Sequence, residues 1–327
     1  MSSILDQVVS FAVESTYGTA SGATPRSYEA KADAFTRDTQ QIDSIGFRRD
    51  LQALRSDRSD TISLGATGSV QTDILNKGHG IMLQHLLGTS AGPTQVGSTT
   101  AYLQTFSTDD TGPTGSYTIQ LSRVDSGGTL RPFTYEGCVA TGFNISQELG
   151  VATSLTVDFD AETEQTSTGE FTPTYPSSTD VFTYTDATIE IDDSAVTNMT
   201  SFSLDGDLGM KTDRRFLAGS ATKSQPKRSS VPSYTGTMEA EFASLTDFNK
   251  YINGTVFKLE FIATMSTAIE GVQYPSFTVT MPAVKFTGST PVASLDDMTT
   301  ISLPFVCMDN GSSAAVEITY QSTDTSF

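Results

Sequence analysis

Hydrophobic and polar residues alternate with a period of two along most of this chain. In the stretch LTVDFDAE, for example, Leu155, Val157 and Phe159 alternate with polar and acidic residues. Such alternation is typical of a β-strand that buries one face and exposes the other. Glycine and proline residues separate the alternating runs, as they do at turns between strands. The pattern therefore predicts a mainly β protein built from antiparallel sheets.

Two short segments depart from this period and predict helices. In the first, apolar residues recur at helical spacing over residues 74–86, and Gly88 follows. In the second, Leu245 and Ile252 share one face, and the segment ends before Gly254. Glycine is preferred just past a helix because it adopts the left-handed conformation without strain. We expect one packed helix in each half of the chain.

The same order of elements occurs twice. A strand and helix begin at Gly68 with GSVQTDILNKGHGIMLQHLLG and again at Gly236 with GTMEAEFASLTDFNKYING, and two long alternating strands follow each unit. A repeat of this size fits a duplicated domain, because solenoid units are only ~20 to 50 residues long. We expect two tandem antiparallel β-sandwich or barrel domains, residues 1–165 and 181–327, joined by a Thr-, Ser- and Pro-rich linker at 166–180.

The composition excludes some classes of protein. A net charge of −19 over 327 residues argues against general affinity for nucleic acid or anionic membranes, because their phosphates would be repelled. No apolar run approaches the ~20 residues of a membrane-spanning helix, and the first residues lack the basic start and cleavage site of a secretory signal. Cys138 and Cys307 lie in alternating runs, which favours buried, reduced thiols. We expect a protein made in a cytoplasm.

The sequence contains no recognisable catalytic or metal-binding motif. His79 and His85 lie six residues apart, which places them roughly 120° apart around a helix instead of on one face, as a metal pair requires. Nucleophile elbows, phosphate-binding loops and paired cysteines are missing. Asp158 and Asp160 carry the carboxyl groups that a glycosidase needs, but no aromatic sugar platform accompanies them. We expect neither an enzyme nor a bound cofactor or metal.

Charged residues are concentrated in two kinds of segment. Several predicted strands carry carboxylates on the face opposite their apolar residues, which indicates either a solvated outer surface or a functional acidic wall. Basic residues cluster at equivalent positions of the two halves, in FRRDLQALRSDR and DRRFLAGSATKSQPKR. These clusters lack the interleaved aromatic residues of a single-stranded nucleic-acid site. A solvated loop and a protein contact are the two remaining interpretations of each cluster.

Four segments resemble those of a known family. VESTYGTASGATPRSYE near the amino terminus, the basic LRSDRSD, then LNKGHGIMLQHLLG and RPFTYEGCVATGFNIS are similar to the tail tube, or major tail, proteins of long-tailed, non-contractile phages. The similarity is greatest over residues 11–165, and the second half resembles the family mainly through the internal repeat. Because none of these motifs is catalytic, the resemblance implies a fold and an assembly, with no active site. The duplication is similar to that of members that fuse two tube domains.

The resemblance implies a structural virion protein, assembled in the host cytoplasm, that polymerises into the phage tail tube. In the family, stacked rings surround a lumen through which double-stranded DNA passes during ejection, and fused members build a pseudo-hexameric ring from three chains. An anionic lumen guides DNA without binding it, since each cationic contact to a phosphate adds affinity. The expected partners are further copies of the chain, a tape-measure protein in the lumen, and tail terminator and tail-tip proteins at the ends, with no membrane and no cofactor.

The sites implied by this resemblance are sheet faces and loops. The candidate lumen-facing acidic residues are Asp73, Asp158, Asp160, Glu162, Glu239 and Glu241. The candidate basic residues for contacts between stacked rings are Arg48, Arg49, Arg55, Arg58, Arg214, Arg215, Lys223, Lys227 and Arg228. Two other classes stay open. One is a β-rich decoration or adhesion protein of a virion or cell surface, and the other is a polysaccharide-cleaving enzyme, which would need convergent carboxylates and aromatic residues in a cleft.

Overall fold

We describe the chain from a computed structural model, using residues 5–46, 48–50, 52–113, 115–217, 219–288, 290–293, 295 and 298–327, without the side chains of residues 32 and 33. These residues are mainly β, with antiparallel strands and two α-helices, as the period-two alternation predicts. The amino-terminal half contains β1 (Val8–Val13), β2 (Arg26–Tyr28), β3 (Ala30–Asp33), β4 (Thr36–Asp43), β5 (Ser59–Asp73), α1 (Gly80–Leu87), β6 (Gly88–Gln95), β7 (Tyr102–Thr108), β8 (Tyr117–Val124), β9 (Leu130–Glu148), β10 (Ser154–Ala161) and β11 (Thr163–Gln165).

The carboxy-terminal half contains a similar series of elements. They are β12 (Ala187–Ile191), β13 (Ser194–Val196), β14 (Met199–Asp207), β15 (Met210–Lys211), β16 (Lys227–Arg228), β17 (Ser233–Glu241), α2 (Thr246–Asn253), β18 (Phe257–Thr264), β19 (Ser276–Phe286), β20 (Thr290–Val292), β21 (Thr300–Cys307) and β22 (Glu317–Ser322). A short 3-10 helix, Ser56–Arg58, precedes β5 in the first half.

Each half is a sandwich of two sheet layers, and one long strand takes part in both. In the first half, β2, β1, β8, the start of β9 and β11 form the outer layer. β4, β5, β10 and the end of β9 form the inner layer. The apolar faces of both layers meet in a core that includes Phe11, Tyr117 and Phe159, all buried. The alternation of apolar residues therefore positions the core.

The strand register of the first half recurs in the second. Gly68 of β5 lies opposite Phe159 of β10, and Gly236 of β17 lies opposite Phe305 of β21. β8 has an irregularity just after Tyr117 in its pairing with β9, and β18 has one just after Phe257 in its pairing with β19. The outer pairing of β1 with β8 is matched by that of β12 with β18. The sequence repeat is thus accompanied by a repeat of strand pairing.

The two halves also differ, and both differences bring them into contact. The hairpin of β6 and β7 has no counterpart among the described elements of the second half, and β7 pairs with β22, which extends the outer layer of that half. Residues 166–180 form no strand and run along the first half, where the Thr174 carbonyl accepts the Ser27 N–H at 2.9 Å. The Phe171 N–H similarly donates to Gln120 Oε1 at 2.6 Å.

Helix α1 is shorter than its apolar stripe predicts. Because β5 continues to Asp73 and the Ile74 N–H donates to the Thr153 carbonyl at 2.9 Å, the chain first becomes helical at Gly80. Met82 and Leu86 are buried, so the helix packs on the core as expected. It ends at Gly88.

Helix α2 packs less deeply than its pattern predicts. It ends at Gly254, whose φ of 61° is left-handed, as the glycine rule predicts. Phe248 is partly buried against the core, but Leu245 and Ile252 are exposed, so the predicted buried face is wrong for these two residues. The helix has only eight residues, which is about two turns, so a single apolar side chain is enough to hold it on the sheet.

Candidate functional site: a polar sheet face and two basic loops

The inner layers of the two halves join edge to edge within the chain. Residues 142–148 of β9 pair antiparallel with residues 201–207 of β14. This join produces a continuous run of strands in the order β5, β10, β9, β14, β17, β21, with β4 beside β5 and β20 beside β21. Because directly opposed residues share a face, the two faces can be followed across the join.

One face of this joined sheet is apolar and belongs to the core. Its residues include Phe143 of β9, Leu155 of β10, Leu204 of β14, Met238 of β17 and Phe305 of β21, all of them buried. They pack against the outer layers and α1. At roughly 1.5 to 3 kcal/mol for each fully buried large apolar side chain, this face fixes the register of the strands.

The opposite face, called the polar face below, is made almost entirely of small polar and acidic side chains. Its members are Thr67, Ser69, Gln71 and Asp73 of β5, Ser154, Thr156, Asp158 and Asp160 of β10, Asn144 and Ser146 of β9, Ser201, Ser203, Asp205 and Asp207 of β14, Ser233, Thr235, Thr237, Glu239 and Glu241 of β17, and Thr300 and Ser302 of β21. The Asn144 side-chain amide donates to Asp205 Oδ1 at 2.8 Å across the join. The surface is therefore even, anionic and rich in hydrogen-bond acceptors.

Five of the six acidic residues singled out from the sequence lie on the polar face. Asp73 binds Lys31 Nζ at 2.5 Å, and Asp158 and Glu241 are exposed, while Glu239 is half-buried. Partial burial raises the pKa of Asp158. Apart from Lys31, the contacts of these four carboxylates leave the face negatively charged.

The fifth of these acidic residues, Asp160, is buried under a segment of the second half. Lys223 crosses from the segment between β15 and β16 and forms an ion pair with Asp160, with 6% and 4% of the two side chains exposed. Burial raises the pKa of Asp160, and the Lys223 ammonium opposes that rise. This ion pair closes one end of the polar face and links the two halves.

Glu162 lies beyond the end of β10, away from the polar face. Its N–H donates to the Glu136 carbonyl at 2.8 Å. Burial raises the pKa of Glu162, and the nearby Glu14 carboxylate raises it further. Glu14 is itself buried and accepts hydrogen bonds from Thr118 Oγ1 and the Gly137 N–H, both at 2.9 Å. The structure therefore groups Glu162 with other carboxylates at the edge of the first half.

The first basic loop, residues 44–58 between β4 and β5, projects its charged side chains into solvent. Arg48 is exposed, and the Arg49 side chain is 95% exposed. Arg55 pairs with Asp57, and the Arg58 carbonyl accepts the Ser44 N–H at 3.1 Å at the base of the loop. Ile45 and Leu54 are also exposed, as are Ile42 of β4 and Ile62 of β5 at the base. The loop thus presents arginines and aliphatic side chains together.

The second basic loop, residues 208–232 between β14 and β17, folds back onto its own chain. Arg214 donates to the Gln225 carbonyl at 2.5 Å. Arg215 donates to the Leu64 carbonyl of β5 at 3.0 Å. Arg228 donates to the Leu208 carbonyl at 3.1 Å and to the Asp109 carbonyl. Together with Lys223, these cations hold the loop against the first half, whereas Lys227 is exposed. The two basic loops therefore have different surroundings.

Sequence reasoning attached no functional role to Gly68 and Gly236, which mark equivalent points of the polar sheet. A Cβ atom at Gly68 would lie 2.4 Å from Phe35 Cγ. One at Gly236 would lie 2.2 Å from the Ser203 carbonyl oxygen and 2.3 Å from Phe305 Cζ. Both positions need glycine because a neighbouring strand approaches too closely for any side chain. The signal was present as the glycine that opens each repeated unit.

The described residues offer no reactive or metal-binding chemistry. Burial lowers the pKa of His79 to about 4 and of His85 to about 3, so both rings are neutral packing groups near neutral pH. No group of three or more His, Cys, Asp and Glu side chains in the described ranges could hold a metal ion. Cys138 and Cys307 are buried free thiols. Within those ranges, no helix is long and apolar enough to cross a membrane.

These features define a structural β protein whose accessible site is an extended sheet face. The model of the phage tail tube protein family matches residues 5–307, and the chain belongs to that family. It is therefore a structural component of the virion tail that assembles with copies of itself into a tube. The search of curated proteins found no match for the chain.

Proposed function

We propose that three copies of this chain form a pseudo-hexameric ring around a lumen and that such rings stack into the tail tube. The observation that carries the proposal is the pairing of β9 with β14, which already joins two repeated sheets edge to edge in one chain. The same join made between chains would continue the inner sheet around a closed barrel. Closure pairs the edge strands and so removes a hazard of aggregation.

In the proposed ring, the polar face lines the lumen and double-stranded DNA passes along it during ejection. Asp158, Asp205 and Glu239 give this wall the same sign of charge as the phosphates. Lys31 and Lys223 lie beside the face, but each is bound to a carboxylate. Since salt-dependent affinity for DNA grows with the number of phosphates that free cations neutralise, such a wall guides DNA without retaining it.

The first basic loop provides the contact between stacked rings in this proposal. Arg48 and Arg49 have the exposure that a contact with acidic residues of the next ring requires, and Ile45 adds apolar area. The second basic loop instead acts as a clamp within the chain, because Lys223 and Arg215 bind groups of the first half.

The recurrent strand registers support a division into two tube domains, residues 1–165 and 181–327, connected by residues 166–180. A tape-measure protein would occupy the lumen before DNA does, and tail terminator and tail-tip proteins would cap the two ends. Assembly would take place in the host cytoplasm, and the product is a virion component that needs no cofactor or catalytic step.

Electron microscopy of the purified, concentrated chain tests the ring and the tube together. We expect end-on views with a central hole and six lobes, and native mass spectrometry of rings should give the mass of three chains. A ring of six chains would keep the tube but reject the two-domain reading of each chain. Compact single chains at every concentration, even with a phage tail tip supplied as template, would overturn the proposal.

Stacking is tested by reversing charge in one loop at a time. Arg48→Glu with Arg49→Glu should leave rings intact but prevent tubes, because the first loop would then repel the acidic ring below it. The matched control is Lys211→Glu with Lys227→Glu, which makes the same charge change at two exposed residues of the second loop and should still give tubes. Tubes of normal length from the arginine variant would refute the role of the first loop.

A further inference from the structure

The joined inner sheet of one chain ends in two strands with an unpaired edge. Among the described residues, β4 pairs only with β5, and all eight of its residues are exposed. At the other end, β20 pairs only with β21. Two such edges in one sheet invite pairing with another chain. The repeat within the chain indicates which edges pair and in which register.

Strand β20 is the second-half equivalent of the end of β9. In the first half, Ser146 of β9 lies opposite Ser154 of β10. In the second half, Val292 of β20 lies opposite Thr300 of β21. Both positions are displaced by 146 residues, the same displacement that relates Phe159 and Phe305 across the two sheets. The part of β9 that joins the two halves therefore has its counterpart in β20 and the residues beside it.

Strands β3 and β4 are together the first-half equivalent of β14. β3 has an irregularity between Ala30 and Ala32 in its pairing with β5. β14 has the same irregularity between Met199 and Ser201 in its pairing with β17. Beyond it, Thr36 of β4 occupies the place of Asp205 in β14, a displacement of 169 residues. The strand that receives β9 within the chain thus has its counterpart at the open edge of the first half.

We propose that β20 of one copy pairs antiparallel with β4 of the next copy, in the register that β9 and β14 have within the chain. Asn144 lies opposite Asp205 in the internal join, and the displacements convert this pair into Thr290 opposite Thr36. Gly288 then lies opposite Asp38, and Val292 lies opposite Ala34. The inference rests on the proposed function, because it specifies the chain-to-chain contact of the ring.

The backbone hydrogen bonds around Phe35 fit this register. The Ala34 N–H donates to the Ser69 carbonyl of β5 at 3.1 Å, so the next residue, Phe35, directs its own backbone groups toward the open edge. Its partner in the proposed register is Pro291, which has no N–H to donate to the Phe35 carbonyl. That carbonyl already lies 3.5 Å from Arg123 Nη2 of its own chain. The acceptor that proline would leave without a donor therefore has one.

Disulfide trapping tests the register directly. Thr36 and Thr290 would form a pair without mutual backbone hydrogen bonds, whose Cα atoms are about 4.5 Å apart and can be bridged. A chain with Thr36→Cys and Thr290→Cys should form tubes under reducing conditions and, after mild oxidation, give a ladder of linked chains on a non-reducing gel. Thr36→Cys with Val292→Cys is the register control, because its diagonal pair is about 7 to 8 Å apart and should not link. The native thiols are buried, so the wild-type chain should remain unlinked.

The outcomes separate this inference from the proposed function. Linking of the matched pair but not of the control supports the register, and a ladder that stops at three chains also gives the size of the ring. Tubes that link only through the control pair, or through neither pair, overturn the register and leave the tube intact. Failure of the wild-type chain to form any ring or tube contradicts the proposed function instead.

Hydrogen exchange provides a second test that needs no substitution. In the proposed register, the N–H groups of Phe35 and Arg37 donate across the open edge, so both should exchange quickly in dilute single chains and slowly in tubes. The Phe143 N–H, which belongs to the internal join, should be protected in both states. Unchanged exchange at Phe35 and Arg37 on tube formation would overturn the proposal even if a cysteine variant failed to fold.

Discussion

Replacing Lys223 with Met removes the only positive charge that touches the buried carboxylate of Asp160 among the described contacts. The two side chains have 6% and 4% of their surface exposed, and Asp160 Oδ2 has no hydrogen-bond partner within the described residues. The aliphatic stem of Lys223 lies against Gly65, where methionine can replace it at similar volume. The substitution therefore changes the charge and leaves the packing nearly unaltered.

The expected loss of stability is about 3 to 5 kcal/mol at pH 7, the usual cost of leaving one member of a buried ion pair unpaired. Because both groups are nearly inaccessible, little of this figure is lost to solvent screening. With a urea m-value of about 3 kcal/mol per molar for a chain of this size, the midpoint should fall by about 1 to 1.5 M. Replacement of both partners, Lys223→Met with Asp160→Asn, should recover most of the loss, because no buried charge remains.

The assay is urea unfolding followed by circular dichroism, at a chain concentration too low for assembly. Lys227→Met is the matched control, because Lys227 lies in the same loop and is exposed, and its effect should stay within about 0.5 kcal/mol. Urea is preferred to guanidinium because the latter is a salt and would screen charges.

The pH dependence supplies a second criterion for the same variant. Without Lys223, burial raises the pKa of Asp160 in the folded chain further above its unfolded value, so the penalty is present at pH 7 and is relieved as the carboxyl becomes protonated at lower pH. The gap between wild type and Lys223→Met should therefore narrow from pH 7 to pH 5. A gap below about 0.5 kcal/mol at pH 7, or one independent of pH, would refute the reasoning.

Two further predictions concern buried positions of the same fold. Burial lowers the pKa of His85 to about 3, so stability should fall by about 2 kcal/mol through this residue between pH 7 and pH 5, as the unfolded chain binds a proton that the folded chain excludes. Thermal unfolding of His85→Phe should show a correspondingly smaller pH dependence, with the contribution of His79 remaining, and an unchanged dependence would mean that the folded chain accepts the proton. Gly68→Ala and Gly236→Ala should each lose about 1 to 3 kcal/mol in denaturant unfolding because the new methyl group overlaps a neighbouring strand, whereas Gly22→Ala meets open space and should be neutral. Equal stability of the three variants would mean that the sheet adjusts at both repeated glycines.

The sequence predicts the strands and the repeat well because both are local properties. Alternation in LTVDFDAE places Leu155 and Phe159 in the core, and the glycine that opens each repeated unit aligns the two halves. The short helices were predicted with less accuracy. A stripe of apolar residues around Ile74 has helical spacing, yet β5 continues to Asp73 because its backbone is paired with β10. Tertiary pairing overrides the local preference there.

The arrangement of the site could not be predicted because it depends on contacts between distant parts of the chain. A period of two shows that Asp158 and Asp160 share a face, but not that a segment 63 residues away covers only Asp160. The two basic clusters look alike in the sequence, and composition does not reveal that Lys223 turns inward while Arg48 stays exposed. Sequence spacing also does not indicate which sheet edges meet, so the pairing of β9 with β14 needs the structure.

Fusion of the two halves makes the joins of the proposed ring unequal. Association of separate chains costs an estimated 4 to 15 kcal/mol in lost translational and rotational freedom, and a ring of three fused chains incurs this cost at three joins instead of six. The internal join spans residues 142–148 of β9, whereas β20 offers three residues, one of them Pro291. The longer join forms when the chain folds, and the shorter one is left for assembly. A weak edge that closes only when a complete ring satisfies every chain allows single chains to remain unpaired at low concentration and to polymerise without mispaired sheets.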